Sequence, residues 1–200
     1  MQKIFYENSY KKEFVAEIID IKEIDNKWHP EQSIVDNNLI YTTIDRYWFW
    51  RIDYYLWEQR ELFFKNELLN VVEKYVFRRN RSIEHIAPQH PKDEYGDKTR
   101  FYWDDESRPE VAWKRDCLGN MVMISSGQNS TLTNSCFEVK HAIMQRYASG
   151  NGTVESLKML YVYSKYNSWS LDNIDEHQRS SMKVLKYSYE RDSRRWNDFH

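Results

Sequence analysis

Apolar side chains recur every three or four positions between residues 38 and 70, and this spacing predicts helical structure. Two successive stripes fit one buried helical face, so we expect their aromatic members to pack in the core rather than to stack on bases. The apolar positions of residues 1–37, by contrast, fit a helix and a strand equally well. The two stripes are Ile40, Ile44, Tyr47, Trp48, Tyr55 and Leu56, and then Phe64, Leu68, Leu69 and Val72.

The period shortens in the middle of the chain, where smaller elements are predicted. Residues 82–86 alternate between polar and apolar side chains, which favours a short strand. Residues 87–107 carry two prolines, a glycine and many charges, so we expect a loop there. A short helix opened by Pro109 is predicted over residues 108–117, because proline is favoured in the first helical turn.

A second strand and further helices are predicted in the rest of the chain. We expect a turn at Leu118–Asn120, a compact apolar strand at residues 121–124, and a polar loop over residues 125–134. Ser135 is predicted to cap a helix that spans residues 137–147. Two more helical stripes follow, the second in a helix beginning near residue 171: Val154, Leu157, Leu160 and Tyr161, and then Ile174, Met182, Leu185 and Tyr189.

Composition agrees with a mostly helical fold. The 200 residues include only 5 Gly and 4 Pro, so few turns and long elements are expected. The predicted fold class is α+β, mostly α, in one domain over residues 38–200, and the sequence pattern does not decide the structure of the preceding residues 1–37. Within this domain, strand, loop, turn, strand, loop and helix follow one another at about residues 82–148, which is the order of a ββα-metal finger.

Cysteine usage and the lengths of the apolar runs indicate the compartment. The two cysteines, Cys117 and Cys136, form no Cys-x-x-Cys pair, which excludes a zinc ribbon and any four-cysteine site. We expect both to be small buried thiols in a reducing compartment. No run of 18 apolar residues and no apolar signal segment is present, so we expect no membrane span and a cytoplasmic protein.

The charge distribution limits how this chain contacts nucleic acid. The formal net charge is −2, which argues against an extensive non-specific grip on DNA. A local basic segment precedes the first predicted strand and contains Arg78, Arg79 and Arg81. These three side chains are candidate DNA-phosphate contacts, and a simple solvated face is the alternative.

Adjacent Glu84 and His85 in the first predicted strand are the main candidates for chemistry. A hydrolytic nuclease needs a base for water, a hard cation at the scissile phosphate, and groups that hold both. Histidine suits the base, whereas Mg²⁺ and related ions prefer oxygen ligands such as Glu and Asn provide. Because successive strand residues face opposite sides, one of the two approaches the metal while the other faces away, unless a bulge brings them together.

Two motifs in order carry a resemblance to a known family. SIEHIAPQ at residues 82–89, followed by LGNMVMISSGQNSTLTNSCFEVK at residues 118–140, resembles the HNH (ββα-metal) domain that ends GmrSD-type modification-dependent restriction endonucleases. RIDYYLWE at residues 51–58 and the segment from Ile174 to Arg179 extend the resemblance to about residues 40–190. The resemblance implies a metal-dependent DNA endonuclease that nicks DNA in restriction or defence against phage.

The resemblance also implies residue roles. His85 corresponds to the general base, Asn129 to a metal ligand, and Glu84 to a second ligand or a residue that tunes one. Asn120 would hold the loop and orient His85 through a backbone contact, and Lys140 would contact phosphate or stabilise the leaving group. The implied cofactor is one divalent metal, Mg²⁺ or Mn²⁺, so each visit to DNA would cut one strand.

Alternatives remain open at this stage. Asn120 also fits an ordinary turn and Lys140 a solvated helix position. The nucleotide-dependent domain that usually precedes this one in the family is absent, so the chain is either a fragment or a stand-alone nuclease, with a nucleotide-dependent partner domain or subunit expected in the first case. The competing hypotheses are a catalytically silent protein- or DNA-binding module of a larger restriction complex and a purely structural helical protein.

Overall fold

The computed structural model describes residues 39–92, 103 and 109–197. The chain divides into two compact units, residues 1–38 and residues 39–200, and the second contains every element described below. The predictions for residues 1–37, and for most of the loop after residue 92, lie outside the described residues.

Between residue 39 and the sheet the structure describes three helices, where the sequence pattern predicted continuous helical structure. Helix α1 begins later than predicted, since Ile40 instead forms an isolated antiparallel bridge with Cys117. The core face of α1 carries Phe49, Ile52 and Leu56, in accordance with helical spacing. The three helices are α1 (Tyr47–Glu58), α2 (Arg60–Phe63) and α3 (Asn66–Glu73).

The two predicted strands are present and pair with each other. Strand β1 spans Ser82–His85 and strand β2 spans Met121–Ile124, in an antiparallel pair whose register joins Ser82 to Ile124 and His85 to Met121. All four residues of β2 are buried, as its uninterrupted apolar sequence predicts. This two-stranded sheet lies in the segment predicted to form the ββα finger, and residues 82–148 are called the finger.

Short helices connect and follow the strands. Helix α4 spans Pro109–Asp116, as predicted, and a 3-10 turn at Leu118–Asn120 leads into β2. The predicted polar loop after β2 is wrong, because helix α5 occupies Ser126–Leu132. The Ser125 hydroxyl accepts a hydrogen bond from the Gln128 backbone N–H and caps α5.

Three helices form the C-terminal part of the described fold. Helices α6 (Phe137–Ala148), α7 (Leu157–Lys165) and α8 (Leu171–Asn197) follow in order. The N-cap of α6 is Cys136, which makes no side-chain capping bond, so the prediction that Ser135 caps this helix is wrong. Ser156 caps α7 by accepting a hydrogen bond from the Met159 N–H.

Close packing of α8 on the 3-10 turn explains the glycine in the Leu-Gly-Asn motif. A Cβ atom at Gly119 would lie 2.6 Å from the Ile174 carbonyl oxygen and 2.8 Å from the Gln178 nitrogen, so only glycine fits without movement of the helix. Both cysteines are buried thiols, as predicted. The described elements confirm an α+β, mostly α, fold.

None of the helices in the described ranges combines the length and the apolar character that a bilayer-crossing segment requires.

Candidate functional site

Strand alternation directs the side chains of Glu84 and His85, the last two residues of β1, to opposite sides of the strand. Glu84 contacts Lys140 on α6, whereas His85 contacts Asp116 at the end of α4. Both side chains are largely buried, with 7% of Glu84 and 6% of His85 exposed. The candidate site therefore consists of two neighbouring clusters that share one strand.

The His85 cluster lies beside an exposed aromatic ring. The imidazole Nε2 is 3.1 Å from Asp116 Oδ1. The Tyr41 ring packs edge-on against the imidazole at a centroid distance of 4.9 Å, and Tyr41 is 41% exposed. The Tyr41 backbone N–H donates to the Asp116 carbonyl oxygen at 2.9 Å, which holds this segment next to α4. His85 is thus close to the surface, beneath one tyrosine.

Asp116 receives hydrogen bonds from three side chains. Besides the contact with His85, Oδ1 accepts from Gln89 Nε2 at 2.9 Å and Oδ2 accepts from Arg115 Nε at 2.9 Å. Burial alone would raise the pKa of Asp116, but the hydrogen bonds from His85, Arg115 and Gln89 outweigh it and hold the pKa well below its usual range. Asp116 is therefore ionised at neutral pH.

The Glu84 cluster contains a fully buried lysine. Lys140 Nζ lies 2.6 Å from Glu84 Oε1 and donates to the carbonyl oxygens of His85 at 2.7 Å and of Ile86 at 3.3 Å. Burial lowers the pKa of Lys140 and raises that of Glu84, and each charge opposes the shift of the other. The Lys140 ammonium thus binds the backbone that carries His85 and lies inside the protein.

Asn120 connects the end of β1 to the 3-10 turn. Its side-chain amide donates to the carbonyl oxygens of Ala87 at 3.1 Å and Arg115 at 2.9 Å, and its oxygen accepts from the Ala87 N–H at 2.9 Å and from Trp169 Nε1 at 3.1 Å. Its backbone oxygen accepts from the Ile86 N–H at 2.8 Å. These bonds fix the chain immediately after His85.

Asn129 lies at the other end of β1. Its amide nitrogen donates to Ser82 Oγ at 2.6 Å and to the Ile83 carbonyl oxygen at 3.3 Å. Ser82 and His85 are three strand residues apart, a backbone separation of roughly 10 Å. The structure therefore brings Asn129 to the start of the strand and leaves His85, Asn120 and Lys140 together at its end.

The basic segment leads directly into this strand. Arg78, Arg79 and Arg81 are all exposed. The Arg81 carbonyl oxygen accepts a hydrogen bond from Arg46 Nε at 3.0 Å, which links the segment to the start of α1. In the sequence, the three arginines come just before Ser82, the strand residue that Asn129 contacts. Their side chains are exposed and therefore accessible to a polyanion.

Comparison with known proteins identifies the family of this chain. A family model described as GmrSD restriction endonucleases, C-terminal domain, matches residues 29–184. The chain belongs to this family. No curated protein and no solved structure matches it. The match covers both strands of the finger and all the candidate site residues, and it connects the chain with restriction endonuclease function.

The metal ligands that the GmrSD resemblance implies do not form a ready cation site. Glu84 is paired with Lys140, and the Asn129 side chain is held by its amide nitrogen at the far end of β1. Nowhere in the described ranges do three His, Cys, Asp or Glu side chains approach closely enough to hold one ion. In this arrangement the described His, Cys, Asp and Glu side chains therefore do not form a site for a divalent metal.

A second buried lysine supports the GmrSD-family finger from the side of β2. Lys158 Nζ donates to the carbonyl oxygens of Leu118 at 2.9 Å and Met121 at 2.6 Å, while its backbone N–H donates to Asp53 Oδ1 at 2.7 Å. Burial lowers the pKa of Lys158 to about 7 and raises that of Asp53 to about 7. Both residues stabilise the scaffold beneath the site.

Sequence reasoning missed Asp116, and it left Gln89 without a role. Asp116 comes immediately before the Cys-Leu-Gly-Asn segment and ends a helix, which was the available signal. Its contact with His85 spans 31 positions and exists only in the folded chain. Lys158 lies in no recognisable motif. Its burial in the structure is what shows that it donates hydrogen bonds to the backbone of the finger.

Proposed function

We propose that this GmrSD-family domain is a DNA endonuclease in which His85 acts as the general base. The main observation that supports this proposal is the position of His85 at the end of β1, with its ring beside Asp116 and beneath the exposed Tyr41. Family membership supports the reaction class, and histidine is suited to proton transfer near neutral pH. Restriction of incoming DNA is the implied biological setting, and the cytoplasm is the implied compartment.

The proposed chemical step is hydrolysis of one phosphodiester. His85 takes a proton from a water molecule while the water oxygen forms a bond to phosphorus. The bond to the 3′ oxygen breaks, this oxygen leaves with the electron pair, and it takes a proton from solvent. One finger cuts one strand in each visit, so the expected product on plasmid DNA is a nick.

The remaining candidate residues act on the backbone and on DNA. Lys140 and Asn120 both hydrogen-bond to the chain at His85 to Ala87, so we assign them as positioning residues instead of groups that touch the phosphate. Arg78, Arg79 and Arg81 are the proposed phosphate contacts, because they are exposed and lie just ahead of β1.

Dependence on Mg²⁺ or Mn²⁺ is a separate proposal that rests on the family resemblance. The described donors do not fit such an ion, so no step of the reaction is assigned to it. Activity that EDTA removes and Mg²⁺ or Mn²⁺ restores would support the metal requirement. Activity that persists in EDTA would overturn it and leave the role of His85 intact.

The second candidate function is a catalytically silent module of a larger restriction complex, with a nucleotide-dependent partner domain or subunit. The observation that favours it is the engagement of Glu84 by Lys140, together with that of Asn129 by Ser82 and Ile83. A silent module would bind DNA or a partner stably and would leave plasmid DNA intact with every metal.

The test of the proposed function is a plasmid nicking assay. Supercoiled DNA, plain and base-modified, is incubated with the wild-type chain, with His85→Ala and with His90→Ala, in Mg²⁺, Mn²⁺ or Ni²⁺ and in EDTA. The exposed His90 is the matched control. We expect nicking by the wild type and His90→Ala that His85→Ala lacks. Nicking by His85→Ala at the parental rate would overturn the assignment of the base.

A further inference from the structure

We propose that Asp116 is a positioning residue that fixes the tautomer of His85, so that Nε2 carries the hydrogen and Nδ1 offers the free lone pair. The use of that lone pair as a base rests on the proposed nuclease function. The tautomer itself is a property of the folded chain and is testable without substrate.

The geometry around the carboxylate carries this inference. Asp116 Oδ1 is 3.1 Å from His85 Nε2, and an ionised carboxylate only accepts hydrogen bonds. Nε2 must therefore be the donor. In the neutral ring Nδ1 then keeps its lone pair, and no hydrogen bond joins Nδ1 to another residue within the described ranges.

The surroundings hold the carboxylate in one orientation. Arg115 contacts Oδ2 through Nε at 2.9 Å and Nη2 at 2.8 Å, and Gln89 donates to Oδ1 at 2.9 Å. These donors keep the group ionised and prevent its rotation away from the imidazole. The side chain of Asp116 is 20% exposed, so the arrangement is near the surface but not fully solvated.

A carboxylate behind a catalytic imidazole acts through orientation and charge. It selects the tautomer whose opposite nitrogen accepts a proton, and it stabilises the imidazolium that forms when the proton arrives. The carboxylate does not itself take the proton. In this chain the water proton would go to Nδ1, and Asp116 would stay ionised throughout the step.

Asp116→Asn is the discriminating substitution, because it preserves shape and removes the charge. The Asn oxygen would take the place of Oδ2, because it must accept from Arg115, and its NH₂ group would then take the place of Oδ1, facing His85 Nε2 and the Gln89 amide, which can turn its oxygen toward this NH₂. An NH₂ donor requires Nε2 to be the acceptor, so the ring adopts the opposite tautomer and Nδ1 loses its lone pair. Asp116→Glu retains the charge and is the conservative counterpart.

The first measurement is long-range ¹H–¹⁵N NMR of histidine-labelled protein at a pH where the ring is neutral, with the His85 signals assigned from His85→Ala. We expect the Nε2–H tautomer in the wild type and the Nδ1–H tautomer in Asp116→Asn. A wild-type ring in the Nδ1–H form, or an unchanged tautomer in Asp116→Asn, overturns the proposal. If Asp116→Asn does not fold, the tautomer is measured in the wild type and in Gln89→Leu, which retains Asp116. Both should have the Nε2–H form, and the Nδ1–H form in either protein overturns the proposal.

The second measurement is the nicking rate of the same proteins. We expect Asp116→Asn to lower kcat by about a hundredfold or more with little change in KM, and Asp116→Glu to recover part of the loss. If Asp116→Asn changes the tautomer but the wild type does not nick DNA, the positioning role of Asp116 stands and the nuclease function is refuted. Nicking by Asp116→Asn at the wild-type kcat would refute the positioning role alone.

Discussion

His85 and Met121 form the terminal register pair of the sheet, and each offers its carbonyl oxygen to a buried lysine. The His85 oxygen accepts from Lys140 at 2.7 Å, and the Met121 oxygen accepts from Lys158 at 2.6 Å. Two buried lysine side chains from separate helices thus hold the end of the finger that carries the proposed base. The position of the His85 backbone therefore depends on lysine side chains that are buried inside the protein.

Lys140→Met should strongly destabilise the fold. The substitution leaves Glu84 buried without its cation and removes the donor to His85 and Ile86, and breaking a buried pair typically costs about 3–5 kcal/mol. Chemical denaturation measures the free energy of unfolding. The control is Lys183→Met at an exposed position of α8, which should change this free energy by less than about 0.5 kcal/mol.

A double variant separates charge from packing at the same site. Glu84→Gln combined with Lys140→Met removes both charges, so it should be more stable than Lys140→Met alone. Recovery stays incomplete because the two carbonyl oxygens still lack their donor. Equal stability of the single and double variants would show that the ion pair contributes nothing.

Gly119→Ala should lower stability through a clash between the 3-10 turn and α8. The added Cβ would lie 2.6 Å from the Ile174 carbonyl oxygen, and relief requires movement of the helix, which typically costs about 1–3 kcal/mol. Gly127→Ala is the matched control, since its Cβ meets nothing closer than 3.8 Å within helix α5. The melting temperature should fall for the first variant and stay level or rise for the second. A stable Gly119→Ala would contradict the close packing.

His177 should make the fold sensitive to acid. It is buried among Tyr161, Tyr166 and Trp169, and burial lowers its pKa well below 6.5, with Lys158 and Lys165 adding to the shift. For His177 alone, the unfolded chain binds more protons as pH falls through about 6.5, so the contribution of His177 to stability declines there with a slope approaching about 1.4 kcal/mol per pH unit. Asp53, whose pKa is raised to about 7 by burial, contributes in the opposite sense over the same range.

The corresponding measurement compares unfolding free energies between pH 8 and pH 5. Relative to the wild type, His177→Leu should gain stability as pH falls, because it removes the group that must stay neutral and leaves the contribution of Asp53 in place. His90→Leu, at an exposed position, should leave the profile unchanged. The same slope in all three proteins would assign the acid sensitivity to other groups.

The strands and the main helices of the finger were predictable because their patterns are local. The alternation at β1 and the apolar run at β2 depend only on neighbouring residues. Helix α5 was missed because its sequence, SGQNSTL, contains one apolar residue and no stripe. Its formation depends on the Ser125 cap and on the contact of Asn129 with β1, and that contact arises only after the chain folds back.

The candidate site was predictable in part. The paired motifs singled out His85, Asn120 and Lys140, which the structure brings to one end of β1. Asp116 and the burial of Lys140 were not visible in the sequence, because a charged side chain on a helix is normally solvated. Tertiary packing alone places Lys140 under the strand and Asp116 beside the imidazole.

Replacement of Arg78, Arg79 and Arg81 by Gln should weaken DNA binding uniformly across sequences. Removing one arginine–phosphate interaction reduces the slope of log K against log salt by roughly 0.9, so the triple variant should have a slope smaller by about two to three. Fluorescence anisotropy on a labelled duplex measures this at several salt concentrations. The double variant Lys183→Gln and Lys186→Gln, at exposed positions of α8, is the control. Equal slopes for the wild type and the arginine variant would exclude this surface.

Chemical rescue tests the central claim, that His85 is the base of a DNA nuclease, most directly. Single-turnover nicking is measured for His85→Gly with and without added imidazole, beside the wild type. We predict that His85→Gly is inactive alone and regains nicking in proportion to imidazole, because the free base occupies the vacated volume and accepts the water proton. Nicking by His85→Gly at the wild-type rate without imidazole would contradict the account.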